Sequence, residues 1–199
     1  MRKDSLRVVL VTLIALALGN LTFVFAQTNP PVSNTKATVL QEIRGYDEKR
    51  DFDALIKASN EYLISDPKNI EVLIRLARCY KDKKEYSLAG KTIMDALDID
   101  PKNAWGLRIL AKINREQYEG SKQEDLKKGY LEAALVAIAR SLTSSPQDAV
   151  TNAEAAQIYF YKKDKVKAAQ AIALALDSNN IYLKKEDLIK LDNKIQALP

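Results

Sequence analysis

Asp66-Pro67-Lys68-Asn69 returns as Asp100-Pro101-Lys102-Asn103, thirty-four residues further on. Self-similarity at a fixed period marks a chain built from stacked supersecondary units, and it outranks any local pattern. Taking 70–103 as one unit puts Leu73, Leu76, Ala77 and Tyr80 at positions 4, 7, 8 and 11. Ala89, Ile93, Ala96 and Pro101 fall at 20, 24, 27 and 32. Steps of three and four within each half are helical, so the unit reads as two helices with a turn near its middle. Small residues stand where two helix axes must approach, and larger ones fill the space between.

The same frame extends in both directions. Downstream, the unit 104–148 begins with Leu107, Leu110 and Ala111, has Asn114 at the aromatic position, and resumes after eleven extra residues with Ala134, Ile138, Ser141 and Pro146. The unit 149–180 follows with Ala155, Ala156, Tyr159, Ala168, Ile172 and Ala175, and Asn180 replaces the closing proline. Upstream, 36–69 supplies Val39, Ile43, Tyr46, Leu55 and Tyr62, but Glu42 and Ser59 occupy positions that should be apolar. It is a degenerate first unit. Asn69, Asn103 and Asp148 each close a unit, where a short polar side chain can cap the next helix. After Asn180 a lone amphipathic segment, with Leu188, Leu191, Ile195 and Leu198 along one face, reads as a capping helix over 181–199. The extra residues lie in 115–128. Ser121-Lys122-Gln123-Glu124 is a capping-box sequence there, which predicts a second helix from Ser121 to about Thr143, a first helix reaching about Tyr118, and a protruding hairpin. Gly129 marks a place where that helix can kink or break.

This pattern resembles the tetratricopeptide repeat (TPR) family, with aliphatic or small residues in place of its usual Trp, Gly and Phe. The resemblance covers nearly all of 36–198. It implies an all-α, right-handed solenoid of four helix-turn-helix repeats plus the C-terminal cap, whose first helices line a concave groove. The groove positions carried over from the family give Arg44, Arg78, Lys112 and Gln157 at position 9, and Asp47, Lys81, Arg115 and Phe160 at position 12. Arg108 stands at position 5, Arg75 at position 6, and Trp105, the single tryptophan, at position 2, where it would be an exposed aromatic anchor. Glu71, Asp82 and Glu116 share that surface. The clamp by which some family members hold a chaperone's C-terminal carboxylate does not fit. In repeats one to three its places hold Leu40, Arg44, Arg75, Trp105 and Ile109. One repeat later they hold Ile74, Arg78, Ile109, Val150 and Glu154. Recognition of an acidic or amphipathic peptide is what remains.

The N-terminus addresses location. Arg2, Lys3 and Arg7 precede the apolar run Val8 to Leu18, and Val24-Phe25-Ala26 before Gln27 offers small residues for cleavage, so residues 1–26 resemble a bacterial secretory signal peptide. An uncleaved anchor over 8–26 is the alternative. Residues 27–35 read as a flexible linker, because each proline turns its predecessor away from helix. Cleavage would leave 28 basic and 25 acidic residues, a mild net charge of +3. The expected location is the periplasm, or the inner membrane if the anchor is kept.

Composition narrows the chemistry. The 199 residues contain no histidine and one cysteine, which removes Ser-His-Asp and Cys-His pairs, histidine-ligated metals and internal disulfides together. The six glycines form no phosphate-cradling spacing. Asp51/Asp53 and Asp98/Asp100 are carboxylate pairs at turn and helix-end positions, and Cys79 reads as a buried small hydrophobe. No catalytic residue, metal or cofactor is assigned. The sequence therefore predicts a non-catalytic scaffold of the bacterial cell envelope that binds a protein or peptide, with an acidic one suited to the groove. It predicts no nucleic-acid partner and no membrane contact beyond an uncleaved N-terminus. The alternative is a self-assembling structural subunit of an envelope complex.

Overall fold

The computed structural model describes residues 35–199. Among them are nine α-helices and no strand: α1 (Lys36–Lys49), α2 (Phe52–Ser65), α3 (Ile70–Asp82), α4 (Tyr86–Ile99), α5 (Ala104–Gly120), α6 (Glu124–Ser144), α7 (Ala149–Lys162), α8 (Lys165–Leu176) and α9 (Lys185–Gln196). The signal peptide and most of the linker, predicted at the N-terminus, lie outside the described residues.

Helix starts follow the capping chemistry. Asn69, Asn103 and Asp148 accept hydrogen bonds from the backbone N–H groups of Val72, Gly106 and Thr151, and Thr35, Asp51 and Asp164 do the same for their own helices. Each such cap is worth about 1 kcal/mol. Asp51 is thereby used in a cap, its neighbour Asp53 pairs with Lys83, and Asp100 accepts from Lys102 and Asn103. Asp51, Asp53 and Asp100 thus supply structural contacts. The turns within repeats one, two and four pass through Arg50, Lys84 and Lys163 in left-handed backbone (φ 57°, 63° and 62°), each at position 15.

Every α1/α2-type hairpin packs on the next, and a second regularity sets the curvature. First helices touch in series, α1 to α3, α3 to α5, α5 to α7 and α7 to α9, whereas no two second helices meet among the described residues. The layer in mutual contact is the inner one, so the first helices line the concave side. Helix α9 occupies the place of a fifth first helix. Its Leu188 and Ile195 are buried in the same core cluster as Ala155, Ala156, Ile172 and Ala175.

The small positions are small for the expected reason, since Ala89, Ala96, Ala134, Ser141, Ala168 and Ala175 are all buried at helix crossings. Position 24 is a buried isoleucine in three repeats, Ile93, Ile138 and Ile172, and is the equally buried Ser59 in the first. The Ser59 hydroxyl has no hydrogen-bond partner among the described residues. Cys79 is buried with its Sγ 3.6 Å from the Phe52 carbonyl oxygen, and burial pushes its thiol up to about 11.

The insertion differs in detail from expectation. Helix α5 continues to Gly120, and α6 begins at Glu124, not Ser121. The Ser121 hydroxyl accepts from the Gln123 N–H, so it fixes the turn and not the helix start. Helix α6 then runs unbroken through Gly129 to Ser144, and no kink forms. The long hairpin is braced near its tip on α7. The Tyr118 and Tyr161 rings pack at a tilt with centroids 5.0 Å apart, and the Tyr161 hydroxyl donates to Glu119 at 2.6 Å. Burial and that acceptor push the Tyr161 phenol up to about 12.

Candidate functional site

The groove is built from the faces that α1, α3, α5 and α7 turn inward. At its N-terminal end the cations are neutralised within the chain. Arg44 grips Glu71 with both Nε and Nη2 at 2.7 Å, a fork-on-fork pair. Arg75 reaches Glu71 at 2.9 Å and Asp47 at 2.5 Å, and Arg78 also pairs with Asp47. Asp47 is only 6% exposed. The hydrogen bond from Arg44 holds the Glu71 carboxyl below its ordinary value, and the same bond raises Arg44.

Lys81 and Arg115, expected on the open groove, are 4% and 6% exposed. The repeat explains their burial. Position 12 of one first helix lies against position 6 of the next, so Asp47 meets Arg75 and, with the signs reversed, Arg115 meets Glu154. For Lys81 that partner position holds Ile109, and its ammonium turns to Asp82 and to Glu116 at 3.4 Å. Arg115 also binds Glu119 at 2.6 Å. Burial alone would lower the Arg115 pKa, but Glu154 and Glu119 outweigh it and the net direction is up. Trp105 is likewise less free than expected. It is half-buried against the core around Leu107 and Ile109, and the Arg75 guanidinium sits 5.3 Å from its ring centroid. Phe160 is half-buried too, packed on the core and on Tyr161.

Two cations differ. Arg108 and Lys112, one turn apart on α5, are half-buried and have no ion pair or hydrogen-bond partner among the described residues. Burial lowers both below their ordinary values; Arg78 adds to this at Arg108, where Asp148 and Glu154 oppose it, and Lys81 and Arg115 add to it at Lys112, where Glu154 and Glu116 oppose it. Position by position, the reason is plain. Arg44 finds Glu71 at position 2 of the following repeat, and Arg78 finds Asp47 at position 12 of the preceding one. At the corresponding places Lys112 has Val150 ahead and Lys81 behind.

Lys112 lies on a cleft of about 420 Å³ between α5, α7 and α9, together with Val150, Gln157, Leu183, Leu191 and Lys194. The sequence pattern places Gln157 in the groove but gives no hint of the wall that α9 and Leu183 contribute unless the apolar stripe of α9 is read as continuing the stacking of first helices. Among the described residues no group of three or more Cys, Asp or Glu could hold a metal ion, and no helix is long and apolar enough to cross a membrane.

No family model and no curated protein matches the sequence. Solved structures do. A thermophilic TPR protein, TTC0263 of Thermus thermophilus, superposes with a TM-score of 0.70 at 18% identity over 81% of each chain. The MamA protein superposes with a TM-score of 0.55 at 20% identity, over 81% of this chain and 90% of its own. At these identities the likeness speaks to architecture, and the fold of this chain is that of the tetratricopeptide-repeat proteins.

Proposed function

We propose that this chain is a non-catalytic scaffold of the bacterial cell envelope, exported by residues 1–26 and holding a protein or peptide partner in the concave groove. The observation that carries the reading is the pair Arg108 and Lys112, half-buried on the groove floor with no acid of the described chain in contact. A desolvated cation costs free energy unless something pairs with it, and an incoming acidic group would recover that cost. Fully exposed lysines elsewhere on the surface impose no such cost, because water solvates them. A self-assembling subunit is the second reading, favoured by Ile181 and Tyr182, which are 88% and 83% exposed beside α9.

A photo-crosslinking amino acid in place of Gln157, on the cleft wall, separates the two in cells. Discrete adducts with another polypeptide support the scaffold. Adducts of the chain with itself alone support self-assembly, and no adduct of either kind counts against both. Intact mass of the purified protein checks export, with a mature chain starting at Gln27 expected and retention of residues 1–26 supporting the anchored form.

A further inference from the structure

We infer that the cleft between α5, α7 and α9 is a docking subsite for a peptide segment bearing a carboxylate among leucine-like residues, the carboxylate taking at Lys112 the place that Glu71 takes at Arg44. The inference rests on the groove reading above and narrows it to one end of the groove, one wall and one chemistry.

The chain itself supplies the template. At the first interface between repeats, a position-9 cation is closed by an acid from position 2 of the next repeat, Arg44 by Glu71 at 2.7 Å. At the third interface the same geometry presents Lys112 to Val150. Of the remaining acids of the cleft, Glu154 pairs with buried Arg115, and Asp187 pairs at 3.6 Å with Lys190, which also lines the cleft. Lys194, which α9 contributes to the cleft, has no acid partner among the described residues either. An anionic group entering between Lys112 and Lys194 would therefore meet two cations without breaking an existing pair.

Around that point the wall is apolar in patches, with Val150, Leu183 and Leu191 between polar groups. Such alternation suits a peptide, whose backbone needs hydrogen-bonding partners and whose side chains do not. An acyl chain would require a continuous apolar lining, and here Gln157 and the lysines interrupt it. The cleft is of small-ligand size, so it takes a few side chains of a segment while the rest runs along the groove. Helix α9 is on this account a wall of the site as well as a cap on the core.

The test uses the full chain and a fluorescein-labelled peptide of about a dozen residues with Glu and Leu at helical spacing, titrated by fluorescence anisotropy alongside its Gln-for-Glu counterpart. The expected result is binding of the Glu peptide, weakened about tenfold or more by Lys112→Met, as for a lost charge-assisted hydrogen bond, and unaffected by Arg44→Met. Val150→Glu, which installs the missing acid, should abolish binding while the protein stays folded by circular dichroism. Lys112→Met removes a poorly solvated charge and leaves the core untouched, so loss of fold does not confuse the result. Equal binding of the Gln peptide overturns the carboxylate assignment. Binding that Arg44→Met or Trp105→Ala removes and Lys112→Met does not overturns the cleft but leaves the groove reading standing. Displacement of the peptide by oleate micelles, with tighter binding of oleate than of peptide, overturns the peptide class. No binding of the Glu peptide at millimolar concentration overturns this inference, whereas the crosslinking from Gln157 decides the groove reading separately.

Discussion

The two ends of the groove use the same repeat positions and reach opposite electrostatic outcomes. In the first two repeats the groove arginines all have acids within the chain: Arg44 and Arg75 share Glu71, while Arg75 and Arg78 share Asp47. In the third, Arg108 and Lys112 have none among the described residues. The hydrophobic support differs in the reverse sense. The first repeat offers small clusters around Ile43 and Leu55 and buries the unpaired hydroxyl of Ser59. The last repeat and α9 share one large core from Ala111 to Ile195. A repeat array sums local and nearest-neighbour terms, and here the position-9 cations are closed within the chain where the core is small and left open where it is large. At position 9 the groove charge is therefore used within the chain at one end and available at the other, while the position-12 pairs Asp47–Arg75 and Arg115–Glu154 are structural at both.

The sharpest way to break this contrast is to remove a buried acid. Glu154→Gln leaves Arg115, itself buried, with only Glu119 and Glu116 in reach. A loss of about 3 kcal/mol is expected, read as a lower midpoint in urea denaturation. Glu71→Gln acts on a pair that is more exposed (side chains 41% and 27%) and should cost about 1 kcal/mol or less. Equal losses would show that burial does not separate the two ends.

Ser59→Ala addresses the weak core directly. Replacing a buried hydroxyl that has no partner removes a desolvation penalty of about 1–2 kcal/mol, at the cost of a few van der Waals contacts. The expected net outcome is a gain near 1 kcal/mol in thermal denaturation, felt first by α1 and α2. Hydrogen exchange of those helices is the measurement that localises it.

Acidification sharpens the same comparison. The Glu71 carboxyl lies below its ordinary value of 4.5 in the folded chain, chiefly through the hydrogen bond from Arg44. The unfolded chain therefore takes up a proton at higher pH than the folded one. The stabilisation is fully present above 4.5 and is lost as pH falls through the lower folded value. As pH falls below 4.5 the contact between α1 and α3 should weaken, seen as loss of amide protection in α1 and α2. Glu71→Gln should remove that part of the acid sensitivity.

How much of this is visible in the sequence depends on whether a feature is periodic. The repeat frame, the caps at Asn69, Asn103 and Asp148, the weak first unit and the capping helix all follow from spacing, because each is set by residues within a single unit. The burial of Lys81, Arg115 and Trp105 does not follow. It depends on what the neighbouring repeat holds at a different position, position 12 against position 6 or position 9 against position 2. Those cross-repeat pairings are legible only once the stacking is known. Afterwards they read directly from the sequence, as Asp47 with Arg75 or Lys112 with Val150. The start of α6 differs from expectation because Ser121-Lys122-Gln123-Glu124 satisfies the capping-box pattern while the serine closes a local turn instead.

The smallest expected effects come from two residues that each stand where the other would fit better. Gly129 lies inside α6, exposed, with nothing within 4 Å of the place a Cβ would occupy. Lys84, at the turn of the second repeat, holds φ at 63°, a conformation that costs an L-residue about 1 kcal/mol and glycine nothing. Gly129→Ala should stabilise by about 1 kcal/mol through helix propensity alone. Lys84→Gly should gain less, because relief of the left-handed strain is partly offset by the greater freedom glycine gives the unfolded chain. Thermal melts of the two variants compare the inserted hairpin with an ordinary repeat turn. If Gly129→Ala gains nothing, helix α6 is not continuous through that point in solution and the insertion is hinged there. If Lys84→Gly destabilises by more than the entropic offset, the lysine makes contacts in the turn that outweigh its backbone strain.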